Sequence, residues 1–153
     1  MDALDDHDDF ERFFQEVEPR LRRAFATSHG VEGARDATAE ALTWAWARWA
    51  EVKQMENPAG YLYRVGQSKS RVRRTPTLPS PEALGLPDVE PQLVPALLAL
   101  SQAQRTAVWL VHGCQWTYSE VAEALGISAS AVGTHLSRGL ERLRSRLEVT
   151  GRA

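Results

Sequence analysis

Aromatic and basic side chains follow one another in a short stretch near the middle of the chain. Tyr61 and Tyr63 lie just before a basic run that ends at Arg74. Rings stack on unpaired bases while arginines contact phosphates, so this combination is typical of single-stranded nucleic-acid binding. Asn57 as a cap and Pro58 at the first position predict that the stretch begins a helix. The alternative is a helix whose tyrosines are core and whose charges are solvated.

A second stretch with nucleic-acid chemistry runs from Thr117 to Arg138 and predicts two helices joined by a tight turn. Thr117 and Glu120 have the spacing of a capping box, as do Ser101 and Gln104 before them. Gly126 is placed to end the first helix in the left-handed conformation, and Ser128 to cap the second. Such a helix-turn-helix offers the first turns of its second helix to the DNA major groove. A helical hairpin in a small bundle is the structural alternative.

Elements that position these stretches are all predicted to be helices, so the fold class is all-α. Apolar residues at helical spacing predict one helix over about 9–28, kinked or broken at Pro19 and closed by residues 28–30. Another helix is predicted from Glu32 to about Val52. Residues 75–91 hold five of the eight prolines and predict a Pro-rich linker. The chain is therefore divided into two small helical domains, 1–74 and 92–153. The second is a four-helix unit containing the helix-turn-helix.

Composition excludes several classes of function. The 153 residues carry a net charge of −2, with acidic residues crowded at the N-terminus and basic residues in two later runs. The single cysteine, Cys114, excludes an internal disulfide and a multi-cysteine zinc site, and is expected to be a buried small hydrophobe. The four histidines have no metal-binding spacing, and no catalytic constellation occurs, so neither a cofactor nor an enzyme is expected.

No apolar run could insert into a membrane, and the acidic N-terminus is unlike a signal peptide, which predicts a cytoplasmic protein.

The order of these elements resembles a bacterial RNA polymerase sigma factor of the two-domain extracytoplasmic-function group. The resemblance spans roughly residues 9–148 and is carried by ARDATAEALTWAWARW, NPAGYLYRVGQSKSRVRR and LSQAQRTAVWLVHGCQWTYSEVAEALGISASAVGTHLSRGLERLR. It implies a first domain that binds the clamp of core RNA polymerase and reads the −10 promoter element. It implies a second domain that reads the −35 element. Core RNA polymerase and promoter DNA are the implied partners, and an anti-sigma protein is a further candidate.

The resemblance also implies roles for particular residues. The polymerase-binding residues are Asp36, Glu40 and Trp46. Those at the −10 element are Tyr61, Tyr63, Arg64, Ser68, Arg71, Arg73 and Arg74. Those at the −35 element are Ser128, Ser130, Thr134, His135, Arg138 and Arg142.

The sequence departs from the family pattern at Ala39, Ser68, Val72, Gly133 and His135. A second hypothesis is that the chain is a stand-alone helix-turn-helix regulator with a helical dimerisation or sensor domain. A third, favoured by the departures at Ser68, Val72 and Gly133, is an interaction protein that has lost promoter activity.

Overall fold

The computed structural model describes residues 3–69 and 91–151, with side chains as far as Glu148. In these ranges the chain forms helices and no strand, which confirms the all-α fold class. The helices are α1 (Ala3–Ala47), α2 (Trp49–Val52), α3 (Pro58–Lys69), α4 (Leu93–Leu98), α5 (Gln102–Val108), α6 (Tyr118–Leu125) and α7 (Ala129–Gly151). A π-helical turn, Trp109–Gly113, continues α5. Arg71, Arg73, Arg74 and nearly all of the predicted linker lie outside the described residues, so the division into two domains stays a prediction.

The predicted boundary between the helices 9–28 and Glu32–Val52 lies at Gly30, and the break predicted at Pro19 is absent. Helical dihedrals continue through Pro19. The carbonyl that its missing amide would have paired with belongs to Gln15, and both residues are exposed, so water can bind that carbonyl. Gly30 has φ 72° and ψ 177°, a conformation that a β-carbon disfavours. It divides α1 into an N-terminal arm (3–29) and a C-terminal arm (31–47). Although α1 has 45 residues, no described helix carries an apolar stretch that could cross a membrane.

The two arms of α1 pack on α3 around a core of aromatic and aliphatic side chains. Phe25 and Tyr63 stack with ring centroids 4.7 Å apart and 10° between their planes. Leu21 and Leu62 are fully buried beside them. A β-carbon at Gly66 would lie 2.4 Å from the Phe25 ring, so α3 can cross this ring only with glycine at that position. The core thereby fixes the register of α3 against α1.

The C-terminal helices form a second cluster. The predicted capping box starts α5, because the Ser101 hydroxyl accepts from the Gln104 amide at 3.2 Å while the Gln104 side chain accepts from the Ser101 amide. Buried residues of α4, α5 and α7 and of the turn between α4 and α5 pack together, and they include Ala96, Leu100, Val108, Leu136 and Leu143. This cluster packs the apolar face of α7 against α4 and α5.

One continuous core joins the helices before residue 69 to those after residue 91. Leu110, Trp116 and Val121 belong to the same buried cluster as Leu62 and Tyr63. The helix-turn-helix therefore packs directly on α1 and α3.

Candidate nucleic-acid interface

The helix-turn-helix has the geometry that its sequence predicts. The Thr117 hydroxyl accepts from the Glu120 amide at 3.1 Å, and a Glu120 carboxylate oxygen accepts from the Thr117 amide at the same distance. Gly126 ends α6 with φ 66° and ψ 36°. The Ser128 hydroxyl then accepts from the amide of Ala131 at 3.1 Å and caps α7. These caps hold the start of α7 at a defined angle to α6.

The outer face of α7 is polar and accessible. Ser130, Thr134 and Arg138 recur at intervals of four and are exposed, so they form one line along the helix. His135 beside them is half-buried. Val132 on the opposite face is completely buried, which orients the polar line outwards. The structure thus brings four of the predicted −35 residues to one surface.

Arg142 lies on the same helix but is held by the protein itself. Its guanidinium donates to the side-chain oxygen of Gln104 at 3.1 Å and to the carbonyl of Ala99 at 3.4 Å. These contacts tie α7 to α5 and to the end of α4. A phosphate contact by Arg142 would have to share or replace them.

Gly133 lies next to the ring of Tyr118. A β-carbon at Gly133 would be 3.7 Å from the nearest Tyr118 carbon, which is an ordinary van der Waals contact. Tyr118 is the first residue of α6 and is exposed. An alanine at Gly133 would therefore fit beside the Tyr118 ring without displacing it.

The first part of α3 presents an aromatic and a basic side chain together. Tyr61 packs against Trp44 with centroids 5.5 Å apart, and the Arg64 guanidinium lies 5.3 Å from the centre of the Tyr61 ring. Arg64 is exposed and also approaches Glu123 of α6 at 3.6 Å. Ser68, near the end of α3, is exposed. These groups provide a ring and a positive charge on one surface.

Tyr63 lies inside the protein rather than on this surface. Its side chain is 2% exposed, and its hydroxyl accepts from the Gln67 amide at 2.7 Å. The edge of its ring meets Trp116 with centroids 5.8 Å apart. In this arrangement Tyr63 supports the fold, as the structural alternative predicted.

The predicted polymerase-binding residues lie on the C-terminal arm of α1. Asp36 and Glu40 are exposed, one helical turn apart. Trp46 is 48% exposed and lies 4.9 Å, between ring centroids, from Phe10 of the N-terminal arm. With Phe14 these rings line an open groove of about 400 Å³ between the two arms. An acidic pair beside an apolar groove is a surface suited to a basic and partly apolar helix.

Residues that sequence reasoning missed connect the two halves of the chain. The Arg20 guanidinium pairs with Glu120 at 2.6 Å and lies over the Trp116 ring at 5.3 Å. The indole nitrogen of Trp109 donates to the carbonyl of Arg23 at 3.2 Å. Glu120 was assigned to the capping box, and nothing in its local sequence indicates a second partner 100 residues away. The local sequence therefore did not predict these contacts between distant residues.

Cys114 lies where the two halves meet and is half-buried. Burial raises the pKa of its thiol from 9.0 to about 12, although the charges of Arg23 and Arg20 oppose the shift. The thiol is therefore protonated near neutral pH and behaves as the small hydrophobe that was predicted.

We expect Cys114 to react slowly in the folded protein. The reactive species is the thiolate, so alkylation by iodoacetamide at about pH 8 should be at least about tenfold slower in the native chain than in urea. Because the folded-state pKa is raised, the contribution of this thiol to stability is complete below pH 9.0 and is lost as the pH rises towards about 12. Equal alkylation rates in the two states would contradict this environment for Cys114.

Comparisons with known proteins agree with this geometry. Residues 92–143 match the family model described as sigma-70, region 4. The RNA polymerase sigma-E factor of Streptomyces antibioticus is 32% identical over 130 residues, covering 75% of this chain and 71% of the relative. The RNA polymerase sigma-E factor of Streptomyces coelicolor is also 32% identical, over 127 residues, covering 74% and 71% of the two chains.

Two solved structures share the fold. The sigma factor RpoE, in complex with the anti-sigma factor NepR from Bartonella quintana, superimposes with a TM-score of 0.69 and 24% identity. The match covers 92% of this chain and 98% of that one. CnrH, in complex with the cytosolic domain of CnrY, superimposes with a TM-score of 0.68 and 19% identity, covering 92% and 88% of the two chains.

Proposed function

Because the chain belongs to the extracytoplasmic-function group of RNA polymerase sigma factors, we propose that it recruits core RNA polymerase to promoters through three separate surfaces. The outer face of α7 reads the −35 element, α3 with the basic run after it captures the −10 element, and the C-terminal arm of α1 binds the polymerase clamp. The observation that carries the proposal is the capped helix-turn-helix with an accessible polar line on its second helix.

At the −35 element, Arg138 is the residue best suited to base recognition. It is exposed on the polar line of α7, together with Ser130 and Thr134. An arginine in the major groove binds the O6 and N7 acceptors of guanine with two hydrogen bonds. The Ser128 hydroxyl is engaged in the cap, so this residue acts by positioning the first turn of α7.

We expect Arg138→Ala to weaken promoter binding by about 5-fold to 150-fold, which corresponds to one bidentate base contact of about 1–3 kcal/mol. The assay is filter binding of DNA by the complex of core polymerase with the chain. The DNA is a set of genomic fragments that the wild-type complex binds. Arg144→Ala is the matched control, because Arg144 is exposed on the same helix but points about 120° away from Arg138 around the helix axis. Unchanged affinity and unchanged fragment selection with Arg138→Ala would contradict the proposed docking of α7.

At the −10 element, Tyr61 and Arg64 provide the stacking surface and the positive charge, and Ser68 continues the exposed side of α3. Arg71, Arg73 and Arg74 follow α3 in the sequence and are proposed to contact the phosphates of the DNA backbone. Phosphate contacts of this kind supply affinity that decreases with salt, while contacts to the bases supply sequence choice. Tyr63 contributes by holding α3 on the core of α1.

At the polymerase clamp, Asp36 and Glu40 provide the charge and Trp46 the apolar contact. The groove formed with Phe10 and Phe14 is a second apolar element of this surface. An anti-sigma protein is a further proposed partner, since the RpoE structure with this fold was solved bound to one.

Binding to core polymerase tests this part of the proposal. The chain is immobilised and exposed to purified core enzyme at low salt, where charge contacts are strongest. We expect retention of the core enzyme and its release as the salt concentration rises. If nothing is retained, while light scattering shows a homodimer that binds a palindromic DNA site, the stand-alone regulator is the correct function.

A further inference from the structure

A pocket with three arginines lies where the two arms of α1 meet. Its volume is about 360 Å³, within the range of roughly 300–1,000 Å³ that small-molecule sites occupy. Arg22 and Arg23 line it from the N-terminal arm, and Arg35 lines it from the C-terminal arm. The other lining side chains are apolar and include Ala26 and Val31. The pocket therefore combines basic groups with apolar ones.

The positive charge of this pocket is only partly neutralised. A carboxylate oxygen of Glu18 lies 3.5 Å from Nε of Arg22, and both side chains are partly exposed. Within the described part of the chain, no carboxylate pairs with Arg23 or Arg35. Three positive groups and one negative group leave an excess of two positive charges around the pocket.

Arg23 is partly withdrawn from water. Its guanidinium lies over the Trp109 ring, 5.8 Å from the centre, and its Nε is buried without a hydrogen-bond partner among the described residues. The nearby Cys114 thiol is protonated near neutral pH, so it supplies no negative charge. A cation that is partly desolvated and lacks a counter-charge is stabilised by an anion that enters the pocket.

Phosphate groups suit this arrangement better than other common anions. A guanidinium forms two parallel hydrogen bonds with a phosphate. A phosphodiester carries only one negative charge, whereas a terminal phosphate carries about 1.5–2 near pH 7. A pyrophosphate group adds a second charged phosphate, so it has enough oxygens for three arginines. The apolar lining can contact the carbon atoms of a ligand that carries such a group.

We propose that this pocket binds a small molecule with a pyrophosphate group, such as a nucleoside diphosphate. Arginines from both arms of α1 hold the phosphates, so the ligand joins the arms on either side of Gly30. Arg35 also lines the groove that contains Trp46, so the ligand lies beside the surface proposed for the polymerase clamp. The site itself does not depend on the proposed function.

Calorimetric titration of the full chain at low salt tests this site, with inorganic pyrophosphate, ADP and adenosine as the three probes. We expect pyrophosphate and ADP to bind and adenosine not to bind. The pair of changes Arg22→Ala and Arg35→Ala should weaken pyrophosphate binding at least about tenfold, because two charge-assisted contacts are lost. Both residues are exposed, so the variant should fold, and circular dichroism checks this.

The matched control is the pair Arg12→Ala and Arg144→Ala. It removes the same net charge at exposed positions outside the pocket, and its affinity for pyrophosphate should stay within about twofold of wild type. Glu18→Gln removes the carboxylate that competes for Arg22 and keeps the side-chain shape. It should therefore raise the affinity about threefold.

The probes also distinguish two sources of the phosphate. ADP that binds at least about fivefold more tightly than pyrophosphate assigns the apolar lining to the nucleoside, and equal affinities assign the site to the pyrophosphate group alone. No binding of either phosphate to the wild-type chain at about 1 mM would overturn the site. So would wild-type affinity in the folded variant without Arg22 and Arg35, or an equal loss of affinity in the control pair.

Discussion

Replacing Tyr63 by alanine lowers the free energy of unfolding by about 3–5 kcal/mol, the cost of removing a large buried aromatic side chain. Tyr63 is among the largest fully buried side chains in the described residues. Its ring stacks on Phe25 and contacts Trp116, so its loss leaves a cavity where the two halves of the chain meet. Urea denaturation followed by circular dichroism measures the change.

Two variants separate the contributions to this effect. Tyr63→Phe keeps the ring and removes the hydrogen bond from Gln67, so it should cost only about 1 kcal/mol. Tyr118→Ala removes an exposed ring of the same type and should cost less than about 1 kcal/mol. If Tyr63→Ala were as stable as Tyr118→Ala, the shared core described for the two halves would be wrong.

Trp46→Ala weakens binding to core polymerase by more than about 30-fold, the size expected for an aromatic hot spot of at least 2 kcal/mol. Trp46 is half-exposed at the edge of the groove with Phe10 and Phe14, so the ring is available to a partner. The effect on folding should be much smaller than that on binding. Titration of labelled core enzyme by fluorescence anisotropy measures the affinity.

Leu98→Ala is the control for this prediction. Leu98 is an exposed hydrophobic side chain of α4, away from the groove, and its removal should leave the affinity within about threefold. Glu40→Gln should weaken binding less than Trp46→Ala and reduce its dependence on salt. Equal affinity of Trp46→Ala and wild type would place the clamp contact elsewhere on the chain.

Local chemistry made part of this fold predictable from the sequence. The capping boxes at Ser101 and Thr117 and the left-handed turn at Gly126 depend on residues within four positions of one another. The structure confirms each of them. The fold class follows from short-range periodicity, whereas the residues of the polar line of α7 were implied by the family resemblance.

Two residues in α1, Pro19 and Gly30, can each interrupt a helix. A proline within a helix removes one hydrogen bond, which predicted a break at Pro19. The lost bond lies on the solvent side and is tolerated, whereas Gly30 adopts a positive φ and turns the chain. The sequence predicted a helix boundary between residues 28 and 32, and the structure has that boundary at Gly30.

Long-range contacts could not be predicted from patterns along the chain. Arg20 and Glu120 are 100 residues apart, and Trp109 and Arg23 are 86 apart. Their pairing depends on how the second half of the chain packs on the first. For the same reason Tyr63 was assigned to DNA from its neighbours in sequence, while the fold places it between Phe25 and Trp116.

The central claim is that this chain directs core RNA polymerase to promoters, and run-off transcription tests it most directly. Purified core enzyme is combined with genomic promoter fragments in the presence and absence of the chain. We predict transcripts with defined start sites only when the chain is present, from fragments that share two upstream elements. The same transcripts with and without the chain would contradict the claim.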